Sequence, residues 1–191
     1  MPEKTLANIQ IDTSISRPWK GIVWHHSAGP DGVGHDWPGI VKFHTSYRVD
    51  YNIVSEKEFF RRFESGEGKS FIKPWIDVGY HGGVELVDGA AVFQPGRPLK
   101  FSGAHSGVAG CSDSFNKEYL GFCAIGNFDL KSPPIDIWNF ALAVTRTFSK
   151  AFNIPVAHVL GHREVYDKLG VPRQKTCPGK SWDMELFRSE I

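Results

Sequence analysis

Lys20-Gly21-Ile22-Val23-Trp24-His25-His26-Ser27-Ala28-Gly29 (20–29) is an apolar run that ends on two imidazoles. Lys20 to Trp24 reads as a buried strand running into His25, and a strand end is a rigid platform for a functional group. A second segment has the same design: Val156 to Leu160 reads as a short strand that delivers Gly161-His162-Arg163-Glu164. Just beyond it, Lys175-Thr176-Cys177-Pro178-Gly179 places a thiol in a Pro/Gly-rich loop, flexible enough to fold back onto the sheet.

The segments between supply helices and a hairpin. Asp36 caps a short helix through Ser46, with Pro38 in its first turn. Val49 to Val54 reads as extended or loop-like. Ser55-Glu56-Lys57-Glu58 is a capping box ahead of Phe59, Phe60 and Phe63, with Gly66 as the stop. From Asp77 the pattern turns to strands. Asp88-Gly89 between Val84–Val87 and Ala90–Phe93 is a hairpin signal. Tyr119 to Ile125 is another apolar strand. Pro133-Pro134 opens a long helix, Ile135 to Phe152, whose Ile137, Ala141, Val144, Phe148 and Phe152 recur at helical spacing. A last short helix covers Asp183 to Arg188. These elements predict a mixed α/β fold, a central mixed β-sheet with flanking helices.

The bulk numbers narrow the class. At 191 residues, 41% hydrophobic and 23% charged, the chain suits one domain over 1–191, with an N-terminal extension at 1–18. A net charge of +1 gives no electrostatic footprint for nucleic acid. No apolar run approaches the roughly 18 residues that span a bilayer, so no membrane insertion is expected. Met1 to Ser16 lacks an apolar core of the secretory-signal type, which predicts synthesis in the cytoplasm. Three cysteines, Cys111, Cys123 and Cys177, argue against a disulfide framework. Cys123 reads as a buried small hydrophobe and Cys111 as a loop thiol.

Of eight histidines, most cannot be ligands. Two imidazoles and a thiolate, if they converge, form a donor set that zinc prefers, and three protein ligands leave a fourth position for water. That is the arrangement of a zinc hydrolase. Taken singly, each residue has a plainer reading: a packed histidine, or a Cys-Pro turn.

Seven motifs in order carry a family resemblance: His25 to Gly29, Asp77-Val78-Gly79-Tyr80-His81, Gly96-Arg97-Pro98, Gly103-Ala104-His105-Ser106, Leu120 to Asn127, Gly161 to Glu164, and Lys175 to Gly179. The chain resembles the type-2 N-acetylmuramoyl-L-alanine amidases, which share the peptidoglycan recognition protein fold. Phe43-His44-Thr45-Ser46-Tyr47-Arg48 and Pro74-Trp75-Ile76-Asp77 give it the flavour of the phage endolysin branch.

The resemblance implies one Zn2+ per chain on His25, His162 and Cys177, with His26 a loop neighbour. It implies Tyr80 and Lys175 as catalytic residues, with Lys175 facing the oxyanion and Tyr80 either donating to it or positioning the water. His105 and Arg97 match positions bordering the substrate groove, with loop support as the alternative. The implied reaction is hydrolysis of the amide between N-acetylmuramic acid and L-alanine in peptidoglycan or a muropeptide. The protein is expected to act as a monomer, on the wall after release or on cytosolic muropeptides. The second reading is a non-catalytic peptidoglycan-binding module, the third a metal-free structural protein.

Three departures stand out. Cys123 occupies a position where some members carry a glutamate, which leaves the leaving-group proton to Tyr80, Lys175 or the metal's water. His81-Gly82-Gly83 predicts either a looser hairpin or a close approach. Val49 to Ile76 is longer than in minimal members; its Trp75, and Tyr47 just before it, either stack on sugar or peptide or pack in the core.

Overall fold

The strand that ends on two imidazoles lies inside the main sheet, between two parallel neighbours. The computed structural model describes residue 9, residues 11–29 and residues 35–191; residues 1–8 and 10 of the expected extension lie outside the described residues. In chain order the elements are β1 (Gly21–His26), α1 (Trp37–His44), β2 (Arg48–Val49), β3 (Asn52–Ile53), α2 (Glu56–Ser65), β4 (Phe71–Ile72), β5 (Gly82–Val87), β6 (Ala90–Pro95), α3 (Ser114–Glu118), β7 (Tyr119–Ala124), α4 (Ile135–Phe152), β8 (Val159–Gly161), α5 (His162–Lys168) and α6 (Met184–Ser189). The main sheet runs β6-β5-β7-β1-β8, and β3-β2-β4 forms a small second sheet. Only the β5–β6 hairpin of the main sheet is antiparallel; β5, β7, β1 and β8 pair in parallel. The chain is therefore α/β, a mixed sheet with flanking helices.

Alternation along β1 and β7 sorts side chains between the two faces. Ile22 and Trp24 of β1 join Leu120 and Phe122 of β7 in the main core, under Phe140, Val144 and Phe148 of α4. Trp24 Nε1 donates to Thr145 Oγ1 at 2.9 Å, so the buried indole is satisfied inside that core. Val23 faces the other way, packing with Leu160 and with Val165 of α5. Cys123, on that same face, packs with Trp37 of α1 and Val78. His25 pairs in register with Cys123, so the first imidazole stands on the second face.

Local chemistry explains the element ends. Asp36 Oδ1 accepts from Gly39 N, and Pro38 sits in the first turn. The helix stops at His44 rather than Ser46 because Thr45 closes it, donating both its amide and its hydroxyl to Val41 O. Ser55 caps α2 through Glu58 N and Gly66 ends it at φ 71°. The reciprocal arm of that capping box is not made: the Glu58 carboxylate binds Arg61 and Arg62 instead. Asp88 and Gly89 take φ 50° and 78°, as a two-residue type I′ hairpin requires. Of the stretch Val156 to Leu160, the first half is a 3-10 turn, Val156–His158, and only Val159–Gly161 is strand. Pro155 opens that turn, and His158 Nδ1 meets Lys20 O at 2.9 Å. His26 is a strand residue paired with Ala124, not a loop neighbour, because β1 continues past Trp24 as far as its partner does. Glycine at 83 serves a close approach, since a Cβ there would overlap the Trp37 ring. No described helix is long and apolar enough to cross a membrane.

Candidate metal centre

Three separate elements bring the three donors together. His25 comes from β1, His162 is the first residue of α5, and Cys177 lies in the loop before α6. One donor atom from each lies within 4.8 Å of the other two. Cys177 Sγ is 3.6 Å from His25 Nδ1. The His25 and His162 rings are 4.5 Å apart at their centroids. His162 Nε2 is buried and has no hydrogen-bond partner among the described residues.

The loop is held in place by the residue that follows the second histidine. Arg163 N donates to Cys177 O at 2.7 Å, and its guanidinium donates to the carbonyls of Thr176, Gly179 and Trp182. Asp129, beyond β7, secures the outer side, accepting from Thr176 Oγ1 and Lys180 N. Glu164 accepts from Gly161 N and forms a two-pronged pair with Arg188 of α6. Sequence reading singled out Gly161 to Glu164 for its histidine alone. Arg163 and Glu164, its immediate neighbours, build the support; Asp129 carried no signal.

Electrostatics keep the imidazoles neutral, the form that binds a metal. Burial pushes His162 down to about 3, with Lys175 adding to the shift. Burial also holds His25 well below the usual histidine range, reinforced by His162, His105 and Lys175. Burial pushes the Cys177 thiol up to about 12, against the pull of the His26 backbone amide, Lys175 and Arg163. At neutral pH the thiol therefore stays protonated until a bound cation displaces the proton to solvent.

These groups floor a cleft of about 890 Å3, whose lining includes Tyr80, Lys175 and Lys180. Lys175 is exposed on the rim, and Tyr80 is half-buried with its ring centroid 5.1 Å from that of His25. Burial, with the Cys123 and Cys177 thiols, pushes the Tyr80 phenol well up, so it stays protonated. His26 lies at the cleft wall, accepting from Phe128 N.

Other expected residues go elsewhere. Arg97 donates to the carbonyls of Val78, Asp77 and Ser102, tying two loops together, and is not among the residues lining the cleft. His105 does line it, but its ring is buried against His25. Tyr47 packs on Phe59 and bonds Glu56, and Trp75 stacks on His44, so both follow the packing reading. Cys111, Cys123 and Cys177 are free thiols.

The N-acetylmuramoyl-L-alanine amidase family profile matches residues 15–180, which span all three donors and the cleft. The chain belongs to this family of type-2 amidases. No curated protein matches this chain. Solved structures do. N-acetylmuramoyl-L-alanine amidase LysC from Clostridium intestinale URNW is 19% identical, with 91% of this chain and 86% of that one covered at a TM-score of 0.54. Endolysine N-acetylmuramoyl-L-alanine amidase LysCS from the same organism is 21% identical, with coverage of 92% and 86% and a TM-score of 0.51. Drosophila PGRP-LB is 23% identical, with coverage of 90% and 79% and a TM-score of 0.54. At these identities the likeness is one of fold, and the chain has the scaffold that these amidases share with peptidoglycan recognition proteins.

Proposed function

We propose that this protein is a zinc-dependent hydrolase that cuts the amide between the lactyl group of N-acetylmuramic acid and the L-alanine of the stem peptide. One observation carries the reading. Two neutral imidazoles and a thiol from three distant parts of the chain meet within 4.8 Å on the floor of an open cleft. The donor set fits zinc, which favours nitrogen and sulfur ligands and keeps an open position in catalytic sites. The unpartnered, buried Nε2 of His162 supports the fit, since a buried polar atom left unpaired costs roughly 1–3 kcal/mol.

His25, His162 and Cys177 would hold the ion. When bound, zinc supplies a Lewis acid and lowers the pKa of water from about 15.7 to about 7. The chain's own groups do the rest. Lys175, two residues before Cys177, brings a compact ammonium to the rim, where it can face the oxyanion that develops on the scissile carbonyl. The protonated Tyr80 phenol lines the same cleft, where it can donate a hydrogen bond to the oxyanion or to the attacking water. Both carry a proton for the departing amine, which this chain needs because Cys123 is no general acid.

A module that only binds peptidoglycan is the second reading. A tyrosine-to-phenylalanine mutant of Drosophila PGRP-LB, on this fold, has been seen in complex with tracheal cytotoxin. The complete donor set, with Lys175 and Tyr80 at the rim, favours catalysis here. The proposed place of action is the cell wall after release, or soluble muropeptides in the cytosol. Mass spectrometry of products from intact sacculi and from soluble anhydro-muropeptides tests bond and substrate size together. We expect stem peptides with a free L-alanine amine, lost with a chelator and restored by zinc. An intact amide after incubation with the zinc-loaded protein would overturn the proposal.

A further inference from the structure

We propose that His105 is a positioning residue for the metal centre: it fixes the tautomer and ring plane of His25, so that the His25 Nδ1 lone pair faces Cys177 and the ion. This deepens the zinc reading and rests on it. The argument begins at a backbone carbonyl. His105 Nε2 lies 3.1 Å from Tyr119 O. A carbonyl oxygen only accepts, so this nitrogen carries the proton and the neutral ring's Nδ1 is an acceptor. His25 Nε2 lies 3.0 Å from that Nδ1, so the hydrogen of His25 must sit on Nε2. The lone pair of His25 is then on Nδ1, the atom 3.6 Å from Cys177 Sγ. Metal-binding histidines are oriented in this way by the partner of their other ring nitrogen.

The relay is built to hold still. His105 N and Ser106 N both donate to Asn116 Oδ1, at 2.7 and 2.8 Å, which fixes the loop. Ser106 Oγ lies 2.6 Å from His105 Nδ1 and shares that acceptor with His25. The ring fits between Gly103 and Gly121, where a Cβ on either glycine would overlap it. Gly121 belongs to β7 and His25 to β1, so the imidazole is wedged between the sheet and its own loop. A histidine that merely filled space would not need its two nitrogens in these two places.

Two substitutions separate the acceptor from the packing. His105→Phe keeps a ring between the glycines and removes the acceptor. His105→Asn offers an amide oxygen near the position of Nδ1. Zinc affinity is measured on each purified protein by competition with a chromophoric chelator. Far-UV circular dichroism checks the fold of the metal-free protein, and the Co2+ absorption spectrum reports ligand geometry. We expect His105→Phe to fold and to lose roughly 10–100-fold in zinc affinity, with an altered Co2+ spectrum. His105→Asn should recover most of the affinity. Wild-type affinity in His105→Phe, or equal losses in both variants, would overturn the positioning role while leaving the zinc site standing. A wild-type protein that binds no zinc would overturn the site and this role together.

Discussion

The two faces of one strand obey different rules. On one side of β1, Ile22 and Trp24 sit in a wholly buried apolar cluster with Phe122, Phe148 and Trp182, where close packing is the currency. On the other side, one residue further along, His25 is equally buried, yet its neighbours are His105, His162, Tyr80 and Cys177. On the first face the polar atoms are few: Trp24 Nε1 reaches Thr145 Oγ1, while the buried Trp182 Nε1 has no partner among the described residues. The second face mixes apolar packing with a polar cluster, in which His25 and His105 satisfy each other and Tyr119 O, while His162 Nε2 is left unpaired among the described residues. The lesson is that burial does not distinguish core from site. The direction of lone pairs does.

The comparison can be broken most sharply at the sulfur. Cys177→Ser should abolish turnover of muropeptide and lower zinc content far below one per chain, with an unchanged far-UV spectrum. Unchanged turnover would remove Cys177 from the centre. Phe122→Ala attacks the opposite face. Its ring packs 4.8 Å from Phe148 and 5.5 Å from Trp24, centroid to centroid, and truncation should cost about 3–5 kcal/mol of stability by urea unfolding. Residual folded protein should keep its zinc affinity, since the two faces share strands but not partners.

Lys175→Ala tests the rim alone. A fall in kcat of roughly a hundredfold or more, with zinc retained, is expected for a lost oxyanion partner. Wild-type turnover would make it a solvated charge. The gentlest probe is pH. Burial holds His44 and His81 at about 4, below the ordinary 6.5. The unfolded chain therefore binds these protons first, and stability should be lost as pH falls from about 6.5 toward about 4, on the order of a few kcal/mol for each ring. Urea midpoints of the metal-free protein at pH 7 and pH 5 measure it. A flat profile would mean that these rings are hydrated.

Much of the architecture was legible before any coordinates. The Asp88-Gly89 turn, the Asp36 and Ser55 caps, the Gly66 stop and the bounds of α4 follow from short-range chemistry, in which a residue's own neighbours decide. The misjudged ends have the same explanation in reverse. The break at Val156–His158 depends on a carbonyl of Lys20, far away in the chain, and the extra residues of β1 depend on the length of β7. The three candidate donors could be grouped only through the seven-motif resemblance, because His25 and Cys177 are 152 positions apart and no local pattern links them.

What the residues dictated unaided was local: where strands and helices start and stop, which positions alternate, and which side chains own metal-binding chemistry. What required the folded chain was relational. Arg97 turned inward to clasp loop carbonyls, Arg163 became the anchor of the cysteine loop, and His105 came to rest between two glycines against His25. Each outcome depends on which acceptor lies within about 3 Å once distant segments have packed. A hydrogen bond is decided by that distance and angle, and neither exists until the tertiary fold does.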